Sequence, residues 1–201
     1  YRGLGGGTVH RIDNQGEVEN FYTSTNNVCG LESLVVHKDR LFFIESTVKR
    51  NSKVLVLGLN DGTLLTSWMV PYYEYSGHQM SNISDDQLAV GDRGGKQLII
   101  YSLQGEVIRK VPLSHCLALE SSVCMSSCGD DSVVISDCDW EAGKVMRISL
   151  RDGSLIWIFN SVIEPYGLEH HPAGYILVSS GKSNHVVISV LDEVNGMLHE
   201  L

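Results

Sequence analysis

The sequence predicts an all-β fold, a β-propeller of four-stranded antiparallel blades, with four full blades and a half blade visible. Three observations predict it. Turn glycines recur at Gly16, Gly62, Gly105, Gly153 and Gly196, 43 to 48 residues apart in a chain of 201. Between them lie short runs rich in Val, Ile, Leu and Phe, and no segment carries a 3.6-residue period. Four strands per repeat of this length make a small twisted sheet that cannot bury both faces alone, so units stack radially.

The elements follow in order. The opening fragment TVHRIDNQGEV (8 to 18) matches only the later half of a unit, so the first unit is a half blade lacking its first two strands. The first full unit has a short apolar segment at 31 to 36, a turn at His37 to Arg40, LFFIE at 41 to 45 and VLVLGLNDGTLL at 54 to 65. The next repeats this with a turn at Ser84 to Gln87, LAVGD at 88 to 92 and LIIYSLQGEVI at 98 to 108. The third has a turn at Gly129 to Ser132, VVISD at 133 to 137 and VMRISLRDGSLI at 145 to 156. The fourth has a turn at His171 to Gly174, ILVSS at 176 to 180 and VVISVLDEVNGML at 186 to 198, and reads as whole. In Val145 to Leu150 the alternation marks a wetter face at Arg147. Turns such as Asn60-Asp61-Gly62 and Arg151-Asp152-Gly153 supply the positive φ of tight hairpins.

These units divide one propeller domain or propeller fragment, residues 1–201, at about 1–23, 24–68, 69–111, 112–159 and 160–201. A whole last unit leaves two arrangements. The ring is five-membered with one two-stranded blade, or, as the preferred expectation, the chain is part of a larger, six-bladed ring. An incomplete ring exposes apolar blade faces and would self-associate.

Composition fits a globular protein, with 43% hydrophobic and 19% charged residues and no apolar run long enough to span a bilayer. A net charge of −9 argues against an extended nucleic-acid surface. Five cysteines with no even framework suggest a reducing, cytoplasmic setting, and the start YRGLGGGTVH suggests a piece of a longer chain. Asn82-Ile83-Ser84 is a glycosylation sequon of the kind expected by chance.

The columns Ala89-Val90-Gly91-Asp92-Arg93-Gly94-Gly95-Lys96 and, in part, Val134-Ile135-Ser136-Asp137 carry a family resemblance. With LIIYSLQGEV and Pro165-Tyr166-Gly167-Leu168, they make the chain resemble NHL repeats, as at the C-terminus of tripartite-motif proteins. The pattern departs at Glu45 and Ser180, which replace its Asp. The resemblance implies a propeller that binds protein or RNA. WD-repeat and quinoprotein propellers are weaker matches, with one Gly77-His78 and two turns that run on to Trp68 and Trp157.

Catalytic constellations are absent from the sequence: there is no nucleophile elbow, no His-Glu-x-x-His and no Walker loop. Gly3 to Gly7 precedes a strand, so it reads as a chain-end loop. The acidic column Glu45, Asp92, Asp137 has two readings, strand-end hydrogen-bond acceptors or, less favoured, a divalent-cation site as in propeller lactonases. His170-His171 is expected to be exposed. The loops joining second to third strands each carry a cation, and the inter-blade loops add tyrosines. The expected binding face is therefore Lys49, Arg50, Tyr72, Tyr73, Arg93, Lys96, Trp140, Lys144, Tyr166 and Lys182. The function expected is a non-enzymatic scaffold for protein–protein interaction, with no cofactor, no metal and no membrane partner. A protein or peptide is the first expected partner and RNA the second; a calcium-dependent lactonase-like hydrolase is the third reading.

Overall fold

A computed structural model describes residues 7–24, 28–47, 51–71, 79–113, 122–129, 131–138, 143–182 and 185–199. Every regular element among them is a strand, and the strands form antiparallel propeller blades. The chain divides into two compact units, Tyr1–Glu74 and Tyr75–Leu201.

In the first unit β1 (Thr8–Ile12) and β2 (Val18–Thr23) pair as the expected half blade. A four-stranded sheet follows in chain order: β3 (Val28–His37), β4 (Arg40–Thr47), β5 (Ser52–Gly58) and β6 (Leu64–Val70). The second unit begins with β7 (Met80–Ser84), β8 (Gln87–Asp92), β9 (Gln97–Ser102) and β10 (Val107–Pro112). Its next blade is β11 (Ser122–Ser127), β12 (Ser132–Asp137), β13 (Lys144–Ser149) and β14 (Leu155–Phe159). The last sheet is β15 (Pro165–His171), β16 (Tyr175–Lys182) and β17 (His185–Asp192). It differs from the expected whole blade: three strands pair, and the fourth position is only begun by a Leu191–Leu198 bridge and a bond from His199 N to Val190 O (2.8 Å). In this second unit the first strands run side by side, with β11 between β7 and β15.

The middle strands are apolar on both faces because both faces are covered. Phe42, Ile44, Leu88, Val90, Val133 and Ile135 are fully buried. Third-strand side chains alternate between two neighbours. Leu98 and Ile100 of β9 point onward to the next blade, where they meet Met146, Ile148 and Leu150. Val145 of β13 likewise packs in a cluster with Leu168, Ile176, Val178 and Leu191 of the last sheet. Val9 of β1 does the same with Leu55 and Leu57 of β5. Each such side chain contributes about 1.5–3 kcal/mol by leaving water, so these seams are the main source of stability.

A polar lock accompanies the apolar seam. Leu59, Leu150 and Glu193 occupy one repeated place, just after a third strand. Their amides bond to the first turn of their own blade, at Asp39 O (2.8 Å), Asp131 O (2.7 Å) and Gly174 O (3.0 Å). Their carbonyls accept from the blade before. Arg11 Nη1 reaches Leu59 O (3.1 Å) and Arg109 Nη1 reaches Leu150 O (2.5 Å). Glu193 O receives both Arg147 Nη1 (2.5 Å) and Trp157 Nε1 (2.9 Å). The turn glycines finish the contact. Gly153 (φ 73°) faces the Pro112 carbonyl, and a Cβ on Gly196 (φ 70°) would lie 2.6 Å from the Trp157 ring. Positive φ and close approach exclude a side chain there for separate reasons.

Where the seam carries Glu193 in place of leucine, its carboxylate takes Arg147 Nη2 (3.2 Å) and His170 Nε2 (2.9 Å). Arg147, read from alternation as wet, is 5% exposed and also donates from Nε to Ser132 Oγ (2.9 Å). His170, expected at the surface, is half-buried by the same contact, while His171 is exposed. The sequon residue Asn82 lies inside β7, opposite Leu88 of β8.

Candidate binding face

In an antiparallel blade the connection between second and third strands shares one end with the connection to the next blade. Arg93, Lys96, Lys144 and Tyr166 lie at that end of their own blades, and a buried carboxylate, Glu45, Asp92 or Asp137, stands at the root of three of the second-to-third-strand loops. Each of the three carboxylates stands opposite the first residues of the third strand: Glu45 pairs in register with Lys53, Asp92 with Gln97 and Asp137 with Lys144.

Register places polar groups where they meet. Glu45, fully buried, holds Lys53 Nζ at 3.1 Å and accepts hydroxyls from Ser24 (2.6 Å) and Tyr22 (3.2 Å). Burial first, then the Glu45 charge, pushes the Tyr22 hydroxyl pKa above its ordinary value. Asp92 accepts Gly95 N (2.9 Å) and Gln97 Nε2 (2.5 Å), closing the loop that carries Arg93 and Lys96. Asp137 holds Lys144 Nζ at 3.1 Å. The strand-end acceptor reading thus describes Asp92 directly, and lysine ion pairs accompany Glu45 and Asp137. Among the described residues no group of three or more His, Cys, Asp or Glu side chains could hold a metal ion.

Above these clips the predicted residues separate. Arg93 is half-buried and Lys96 exposed, in a turn closed by Lys96 N to Arg93 O (3.2 Å). Lys96 O accepts Leu113 N (2.9 Å), which ties this loop to the exit of β10. Lys144 is engaged by Asp137, so its charge serves the loop root. Tyr166 is 50% exposed and donates to Glu164 Oε2 (3.2 Å). Partial loss of solvent, then the adjacent Cys138 and Glu164, raises its pKa. Gly143 and segment 162–165 press together, since a Cβ on Gly143 would lie 2.5 Å from Pro165 Cδ and 2.7 Å from Val162 O. Lys144 and Tyr166 are therefore brought to one junction, with Arg93 and Lys96 on the corresponding loop of the neighbouring blade. Lys49, Arg50, Tyr72, Tyr73, Trp140 and the Lys182 side chain lie outside the described residues.

Tyr22 was among the inter-blade tyrosines the sequence offered, whereas Ser24, Gln97, Cys138 and Glu164 were missed as partners at the loop roots. The strand register carries the signal for Gln97, which follows from counting Asp92 across the turn. Glu164 meets Tyr166 two residues on, and Ser24 and Cys138 depend on contacts between blades.

No protein-family model matches the sequence, and no curated relative does. Solved structures do. The chain is similar to a protein of unknown function from Bacteroides caccae, at 10% identity and TM-score 0.67, over 95% of this chain and 73% of that one. It is similar to a proposed 6-phosphogluconolactonase from Bacteroides uniformis, at 16% identity and TM-score 0.64, over 96% and 62%. A third is BamB from Moraxella catarrhalis, at 9% identity and TM-score 0.53, over 95% and 56%. The likeness is one of fold. The chain spans less than two thirds of the length of the second and third of these.

Proposed function

We propose that the chain is a non-enzymatic binding module of NHL type whose loop face recognises a protein or peptide, acidic segments above all. One observation carries this reading. Buried carboxylates fix the loop roots, while Arg93, Lys96 and the half-exposed Tyr166 stand outside those clips on loops that are already closed. Preorganised cations and an amphipathic aromatic are the residue types that dominate recognition, because little ordering entropy remains to be lost on binding. The acidic column supports a structural role for its carboxylates, since each engages its own loop root.

The test selects binders from a random-peptide display library on the wild-type chain and measures them against Arg93→Glu/Lys96→Glu and Tyr166→Ala. Peptides rich in Asp and Glu should emerge, and each variant should weaken them on the order of tenfold or more. Peptides indifferent to both variants would refute the face. An oligouridine probe that binds instead, with affinity falling steeply with salt, would replace the peptide reading by RNA. Turnover on a lactone and ester panel that survives repurification would overturn the non-enzymatic part.

A further inference from the structure

We infer that the partner of the loop face carries a large apolar side chain beside its acidic residues, and that Ile163 together with the Tyr166 ring receives it. The inference rests on the loop-face reading above and adds to it the chemistry of the partner's anchor.

The connection from β14 to β15, residues 160–164, is the one inter-blade loop that lies wholly among the described residues. Its apolar side chains divide into two kinds. Val162 is 5% exposed and packs in the cluster of Val145, Leu168 and Val178, and Pro165 is buried at the start of β15. Ile163 and Tyr166, the residue after each, are 52% and 50% exposed. Gly143 closes on the same segment from the neighbouring loop root, where a Cβ would also lie 3.1 Å from Glu164 N. Val162 and Pro165 are thus pins, and Ile163 and Tyr166 project from a backbone that is already held.

Glu164 joins the two halves. Its φ of 48° is left-handed, a region a non-glycine residue enters at a cost, and it turns the chain between the pins. Its carboxylate then accepts the Tyr166 hydroxyl at 3.2 Å, which fixes the ring. An exposed isoleucine adds nothing to the fold, and single ones are common on protein surfaces. Here the isoleucine is pinned three residues from a fixed aromatic, on the face that also presents Arg93 and Lys96. Those two cations have no ion-pair partner among the described residues. A segment of acidic residues alone would satisfy the cations and leave the apolar pair in water. A segment with Leu, Ile, Met or Phe beside its acids covers both, and the pair loses little freedom in receiving it.

The experiment takes acidic peptides selected by display on the wild-type chain and titrates them calorimetrically at about 50 mM and about 500 mM NaCl. The selected peptides should share a large apolar residue. Ile163→Ala should weaken them about five- to tenfold at both salt concentrations, and Ile163→Leu should restore binding to within about twofold. Ile156→Ala, which alters an equally exposed isoleucine beside the Arg151–Ser154 turn at the other end of the blade, should change nothing. Replacing the peptide's apolar residue by Ala should cost as much as Ile163→Ala, and the two together little more than either. Urea midpoints should be the same for all three variants, because the side chains are exposed. Selected peptides without an apolar residue, a loss at Ile163 that disappears in high salt, or costs that add in the cycle would each overturn the anchor. If such peptides still depended on Arg93 and Lys96, the loop-face reading would stand without it; peptides indifferent to Arg93→Glu/Lys96→Glu as well would remove both.

Discussion

Replacing Glu193 by leucine makes the last sheet resemble its siblings, because Leu59 and Leu150 stand at that place in other blades. The resemblance is destabilising. Arg147 has a side chain only 6% exposed, and its Nη2 loses the Glu193 carboxylate at 3.2 Å. Removing one member of a buried pair costs about 3–5 kcal/mol, since the other charge is left without its counter-charge. Here the Glu193 side chain is 19% exposed, and the guanidinium keeps the Glu193 carbonyl and Ser132 Oγ. Those retained acceptors reduce the expected loss to about 2–3 kcal/mol. The repeat also supplies the compensating change, since Ile100 and Val56 occupy the Arg147 place in the other blades, both fully buried. Arg147→Ile combined with Glu193→Leu should cost about 1 kcal/mol or less, a coupling of about 2 kcal/mol in the double-mutant cycle. Urea denaturation at neutral pH, with m-values compared among the four proteins, reads it. Singles whose costs add to the double within about 0.5 kcal/mol would refute a coupled charge pair at this seam.

Gly153→Ala should lose about 2–4 kcal/mol, as the left-handed φ and the Pro112 carbonyl both resist a methyl group. Gly16→Ala carries a comparable φ with open space, so it should lose only the backbone part, about 1–2 kcal/mol; equal urea midpoints for the two would refute the close approach at Gly153. The Tyr22 hydroxyl is raised above 10.0 by burial and by Glu45. A raised folded pKa means the folded state holds the proton more tightly. Its stabilising contribution is therefore complete below the unfolded value and is lost as pH rises through the folded one. Wild type should lose stability more steeply than Tyr22→Phe as pH rises past the ordinary tyrosine value of 10.0, and parallel curves would refute the raised hydroxyl.

Sequence periodicity was sufficient for what depends on one blade. Gly16, Gly62, Gly105, Gly153 and Gly196 marked the hairpins because positive φ is a local demand, and all five adopt it. Asp92 was legible as a strand-end acceptor because Gly95 lies three residues on. What depended on a neighbouring blade was hidden. Arg147 interrupts an apolar strand and reads as solvent-facing, yet it is buried because the next blade brings Glu193 to it. His170 gave a similarly misleading signal, although the Glu193 that meets it comes from its own sheet, just past β17. The last sheet read as whole because the run to Leu198 has the composition of a fourth strand, whereas pairing there extends only to the Leu191–Leu198 bridge and His199. The candidate face was legible as a recurrence of cations in loops, but not the division between Lys144, engaged by a buried carboxylate, and Lys96, left exposed.

The loop face and the seams respond differently to salt, and that has a physical consequence. The seams hold the blades by buried apolar area, as where Leu98 and Ile100 meet Met146 and Ile148, and respond little to salt. Recognition uses loop cations and Tyr166, whose contribution to an acidic partner is screened within about a Debye length. Raising salt should thus release an acidic peptide while leaving the urea midpoint of the chain in place, and a peptide held equally well at low and high salt would refute recognition by Arg93 and Lys96.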